Sequence, residues 1–155
     1  MLSTKKRKSL FFGLLSVAII LFIFYNSLQS GEESSRASGF VTGIVKGFLN
    51  FLGLEPRNES LSFIVRKTAH FGEYFLLSLA LSSFLLNAAR KKGFSCLSVL
   101  VSFCVAACDE FIMQGATDGR SPQWTDVLID TSGALTALLL LAAMLFVRAR
   151  KEKSK

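Results

Sequence analysis

Four apolar stretches, Leu10 to Leu28, Phe71 to Ala89, Phe94 to Met113 and Val127 to Val147, leave this chain few ways to fold. Each approaches or exceeds the roughly 20 helical residues needed to cross a hydrocarbon core of about 30 Å. A hydrophobic content of 51%, a mean hydropathy of +0.47 and 15 phenylalanines in 155 residues are more than a soluble domain of this size needs. The chain therefore reads as one all-α membrane domain of four transmembrane helices, with an interfacial amphipathic helix between the first and the second.

A net charge of +7 raises the question of a nucleic-acid partner, but the cations sit between or beyond the apolar stretches and not on one soluble face. Lys5, Lys6, Arg7 and Lys8 precede the first stretch; Arg90, Lys91 and Lys92 separate the second from the third; Arg148, Arg150, Lys151, Lys153 and Lys155 follow the fourth. The positive-inside rule then predicts both termini in the cytoplasm, in a multi-pass protein of the bacterial cytoplasmic membrane. The lipid bilayer is its first partner, and no nucleic acid is expected. The KKRK segment ahead of an apolar core resembles a secretory signal, yet the core is long and no small-residue cleavage site follows, so residues 10–28 read as a retained first span.

Residues 1–9 form the basic N-terminus and residues 29–59 an extracytoplasmic loop. Within that loop, residues 40–54 have helical periodicity: Phe40, Val41, Ile44, Val45, Phe48, Phe51 and Leu52 share one face, and Thr42, Gly43, Lys46, Gly47 and Asn50 the other. The segment is too short to span, so it either lies on the outer leaflet or packs against the bundle. Ser60 or Ser62 is placed to cap the next helix. Residues 148–155 read as a solvated tail. Cys96, Cys104 and Cys108 lie in or beside the third stretch and read as small packing residues, because one helical turn is poor geometry for a disulfide.

Charged groups inside apolar helices are costly, which makes them candidates for function. Lys67, His70, Glu73 and Tyr74 recur at spacings of three and four and share a helix face near the start of the second span. Asp109, Glu110 and Gln114 close the third span, with Glu110 and Gln114 one turn apart. Gly115, Gly119 and Pro122 shape a loop carrying Asp118, Arg120 and Trp124, and Asp126 and Asp130 open the fourth span. A helical hairpin between the second and third spans brings these groups to one end of the bundle, where His70 is expected to meet Glu110 or Asp109. Gly133, Ala134 and Ala137 permit close helix approach.

At these residues the sequence resembles the VanZ family. The resemblance runs over roughly residues 60 to 140 and is carried by Lys67-x-x-His70-Phe71-x-x-Tyr74, by Asp109-Glu110 with Gln114, and by Arg120, Asp126 and Gly133. Residues 60–147 then read as a VanZ-like three-helix core. The best-known member of that family confers low-level resistance to teicoplanin, so the resemblance implies a role in the cell envelope. The departures are Ala116 in place of a frequent aromatic, Asp118 near a common proline, and Ala137 where glycine is frequent.

Three functions compete. A binding or resistance factor would hold a lipid-linked or lipoglycopeptide headgroup from outside, with Lys67 and Arg120 for anions and the carboxylates for amines. A membrane enzyme would use His70 and Glu110 to exchange a proton on a lipid phosphate or pyrophosphate, with Asp109, Glu110, Asp126 and Asp130 as ligands for a divalent cation such as magnesium. A structural cluster would only lock helix ends together. The chain lacks a second histidine, a G-x-S-x-G turn and a Gly-rich phosphate loop, which counts against the enzyme.

Overall fold

The computed structural model describes residues 3–89 and 95–153; the turn expected at Arg90-Lys91-Lys92-Gly93 lies outside the described residues, as do residues 1–2, 94 and 154–155. Five helices follow one another: α1 (Thr4–Ser27), α2 (Gly31–Phe51), α3 (Asn58–Ala89), α4 (Leu97–Cys108) and α5 (Trp124–Lys153). Past Cys108 the α4 chain continues through a π turn at Asp109–Met113 and a 3-10 turn at Gln114–Ala116. Among the described residues there is no strand, and α1, α3, extended α4 and α5 are each long and apolar enough to cross a membrane.

The bundle is packed as helices in lipid pack, with large apolar side chains outward and small ones between helices. Leu14, Leu21, Leu76, Leu100, Leu128 and Leu139 are exposed, whereas Ser78, Ser82, Ser98, Ser102, Ala106, Ala134 and Ala137 are buried. The Ser98 hydroxyl joins α4 to α3, accepting from Ser82 at 2.7 Å and lying 3.2 Å from Ser78. At Gly133 the backbones of α5 and α3 approach so closely that an added Cβ would lie 2.3 Å from the Phe71 carbonyl oxygen. Cys96, Cys104 and Cys108 correct the sequence reading: all three are exposed free thiols, not packing residues.

The amphipathic helix begins at Gly31, not Phe40. Ser30 sets this start with a capping box, its hydroxyl accepting from the Glu33 N–H while the Glu33 carboxylate accepts from the Ser30 N–H. The helix also turns the opposite way from a soluble amphipathic helix. Ser34, Ser38, Thr42, Val45 and Leu49 face the bundle, while Phe40, Ile44, Phe48 and Phe51 are exposed. At its far end Leu52 and Gly53 close the helix, Gly53 taking a positive φ of 79°, and Lys46 donates to the Asn58 side chain at 2.6 Å. Helix α3 starts at Asn58, so Ser60 and Ser62 lie inside it and cap nothing.

At 32 residues α3 is about 48 Å long, more than a hydrocarbon core requires. The last turn of α1 is tied to the middle of α3, where Asn26 Nδ2 donates to Glu73 Oε1 at 3.0 Å. Residues 58–72, about 22 Å of helix, therefore run on past the end of α1. Helix α2 packs along this overhang. The outcome is a polar end, where α1 finishes and α3 and α5 begin, and a basic end that holds the start of α1 and the last turns of α5.

Candidate functional site

The π turn is the local device that brings two carboxylates inward together. Its wide turn, closed by the Gln114 N–H on the Asp109 carbonyl, leaves Asp109 and Glu110 both buried although they are adjacent in sequence. Gln114 then stands over both, donating from Nε2 to Glu110 Oε2 at 2.7 Å and to Asp109 Oδ2 at 3.3 Å. The other Glu110 oxygen accepts the Gln123 backbone N–H at 2.8 Å, so this carboxylate fastens the far end of the strap at residues 117–123 to the π turn.

Arg120 projects from the strap into the polar end of α1. Its Nε donates to Gln29 O at 3.1 Å, its Nη2 to Asn26 O at 3.0 Å and its Nη1 to Gln114 Oε1 at 3.0 Å. The Asn26 carbonyl, which also accepts the Gln29 N–H at 3.3 Å, and the Gln29 carbonyl lie at and just beyond the C-terminus of α1, so one guanidinium caps α1 and anchors the strap together. Burial moves the Arg120 pKa below its ordinary value; Asp109 and Glu110 favour its charge, while nearby Arg66 opposes it. Thr117 adds a second tie, its single hydroxyl hydrogen shared between Met113 O at 2.8 Å and Ser27 O at 3.2 Å. Gly119, at φ 75°, turns the strap against the start of α2, where Gly31 N–H donates to Asp118 O at 3.1 Å.

On α3, Lys67 forms an ion pair with Asp126 at the start of α5 and lies over the Phe63 ring at 5.3 Å. His70, one turn on, approaches Asp130 and not Glu110 or Asp109: its Nδ1 is 3.9 Å from Asp130 Oδ1, just beyond hydrogen-bonding distance. The reason is the α3–α5 contact at Gly133, which draws α5 against this face of α3 while Glu110 is engaged by the strap. Asp130 is fully buried, and neither of its oxygens has a hydrogen-bond partner; His70 Nδ1 and the Tyr74 hydroxyl are likewise buried and unpartnered. Such groups are costly unless something completes them.

A pocket of about 890 Å³ opens between α2, α3 and the strap. Of the residues expected to form a site, Lys67, His70, Glu73, Gln114, Arg120 and Asp126 line it. Tyr74, Asp109, Glu110 and Asp130 lie behind this wall in the bundle interior. Sequence reasoning did not include Asn26, Ser27 and Gln29 from the end of α1, Arg66 on α3, Gln123 on the strap, or Ser34 and Ser38 on α2, all of which face the pocket. The polar Asn26-Ser27 step closing an apolar span was the available signal. The apolar lining comes from Val41, Val45, Leu61 and Ile64.

Among the described residues no group of three or more His, Cys, Asp or Glu side chains is arranged to hold a metal ion. Glu110 is engaged by Gln114 and Gln123, and Asp126 by Lys67.

An all-α bundle of four membrane-spanning helices, carrying a charged and partly buried site at one end beside an amphiphilic pocket, defines an integral membrane protein with a built polar site. A model of the VanZ/LLP1 family matches residues 12–147, and the chain belongs to that family. The match takes in α1 and α2 as well as the three later spans, in keeping with the contribution of Asn26, Ser27 and Gln29 to the site. No curated protein and no solved structure matches the chain.

Proposed function

We propose that this protein binds the polar headgroup of an amphiphile, lipid-linked or lipoglycopeptide, from the outer face of the bacterial cytoplasmic membrane, and that it gives low-level tolerance to teicoplanin. The carrying observation is the pocket, which joins an ion-rich wall on α3 and the strap to an apolar wall on α2 and α3. A soluble polar ligand would not need the second wall and a hydrocarbon would not need the first. Ligand sites combine apolar lining with a few placed polar groups in this way. With basic residues concentrated at the opposite end, the positive-inside rule puts the pocket outside and residues 29–59 in an extracytoplasmic segment. The family resemblance supplies teicoplanin as the probe; its acyl chain would hold it in the leaflet beside α2.

The test is expression in a susceptible Gram-positive host. Tolerance to teicoplanin should rise more than tolerance to vancomycin, and Ser38→Trp, which fills the pocket from α2, should abolish the gain at equal membrane abundance. Full tolerance in that variant at equal abundance would remove the pocket from the function.

A second reading has a specific observation behind it. His70 lines the pocket while its buried Nδ1 lies 3.9 Å from the unpartnered Asp130 carboxylate, close enough that a small approach would let the carboxylate orient the imidazole toward a ligand. As an enzyme the protein would exchange a proton on a lipid phosphate or pyrophosphate through this pair. His70→Gln keeps polarity without proton exchange: retained tolerance favours binding, whereas lost tolerance together with a changed lipid composition favours the enzyme.

A further inference from the structure

The cations around the pocket are not equivalent. Lys67 is neutralised by Asp126, and Arg120 is held by three neutral acceptors from α1 and Gln114. Arg66 lines the same pocket, is exposed, and among the described residues has neither an ion pair nor a hydrogen bond. It lies near enough to Arg120 for its charge to act against that guanidinium's. Asp109 and Glu110 favour the Arg120 charge from behind the pocket wall, but no carboxylate pairs with Arg66; an anion in the cavity would meet both guanidiniums, whose geometry suits phosphate oxygens. Of the carboxylates lining the pocket, Asp126 is paired with Lys67 and Glu73 accepts from the neutral Asn26 amide; neither forms an ion pair with Arg66.

Resting on the reading of the pocket as a headgroup site, we infer that its ligand is an anionic phospholipid whose phosphate is recognised by Arg66 and Arg120. The acyl chains leave toward the bilayer between α2 and α3, past Val41, Val45, Leu61 and Ile64. This orientation puts the phosphate against the polar wall and hydrocarbon against the apolar one. It also accounts for α2 turning Phe40, Ile44, Phe48 and Phe51 away from the bundle: that face meets lipid, and the serine face meets the headgroup.

His70 is the single histidine of the chain and lines the pocket, so its side-chain NMR resonances report on occupancy without any other label site. The full-length protein, labelled with ¹⁵N-histidine in a non-ionic detergent, is titrated with short-chain phosphatidylglycerol, with phosphatidylcholine of the same chain length, with inorganic phosphate and with teicoplanin. Phosphatidylglycerol should give a saturable shift at concentrations where phosphatidylcholine gives none. Arg66→Gln should weaken that binding about tenfold or more, and Arg66→Lys should recover part of the loss. Because Arg66 has no partner, both variants should keep the thermal midpoint of the parent. Both lipids carry a phosphodiester and differ in net charge, so equal response to the two would overturn selection of an anionic phospholipid but leave an amphiphile pocket. Response to inorganic phosphate as strong as to phosphatidylglycerol would overturn the lipid assignment. Response to teicoplanin alone would overturn the phospholipid and keep the headgroup reading; silence toward every probe would sink both.

Discussion

Arg120→Lys is expected to strip the protein of about 3 kcal/mol of stability, despite keeping the charge. The guanidinium bonds three acceptors that lie in different directions, on Asn26, Gln29 and Gln114, and so fixes the strap to the end of α1. A lysine ammonium is a point donor on a flexible stem and cannot meet all three at once. Hydrogen bonds from charged donors contribute about 1.5–3 kcal/mol each, and losing that to Gln29 leaves a partly buried carbonyl without a partner. For a chain of this size the fall in thermal midpoint in detergent should be roughly 6–12 °C. A midpoint unchanged within 2 °C would mean that the strap holds by other contacts and that Arg120 serves the pocket alone.

Gly133→Val should be comparably damaging for a different physical reason. The new Cβ would begin 2.3 Å from the Phe71 carbonyl oxygen, a backbone atom of a long helix that has no rotamer to yield. Overpacking of this kind costs about 1–3 kcal/mol, and here relief requires moving α5 away from α3. That motion would also separate Lys67 from Asp126 and His70 from Asp130, so both folded abundance and pocket function should fall together. Gly43→Ala is the matched control: its Cβ meets nothing within 4 Å, and alanine favours helix, so the midpoint should hold or rise slightly. Normal abundance of Gly133→Val would mean that α3 and α5 do not meet at this point.

How much of this was readable from the residues depends on the distance in sequence between partners. The four spans are local properties of composition and length, and the Glu110–Gln114 pair is set by helical spacing, so both were legible. The pairing of Arg120 with carbonyls some 90 residues earlier, and of Asn26 with Glu73, was not, because nothing local in either segment encodes the other. The choice of Asp130 as neighbour of His70 depends on the close α3–α5 crossing at Gly133, whose small size hinted at contact without naming its partner. Helix α2 shows a further limit. Its periodicity gives two faces, but in a membrane the apolar face is free to turn outward, so the pattern alone could not say that Ser34, Ser38 and Thr42 would meet the bundle. Its start at Gly31 was hidden by Ser/Gly-rich composition, although Ser30 and Glu33 stand at the spacing of a capping box.

A site for an envelope ligand must face outward, and that orientation can be measured directly. In a background in which Cys96, Cys104 and Cys108 are replaced, Ser121→Cys on the strap and Ser154→Cys near the C-terminus are each treated in intact cells with a membrane-impermeant maleimide. The account predicts labelling at position 121 and none at 154 until the cells are opened. Labelling at 154 in intact cells, with 121 protected, would put the pocket in the cytoplasm and contradict the proposed function.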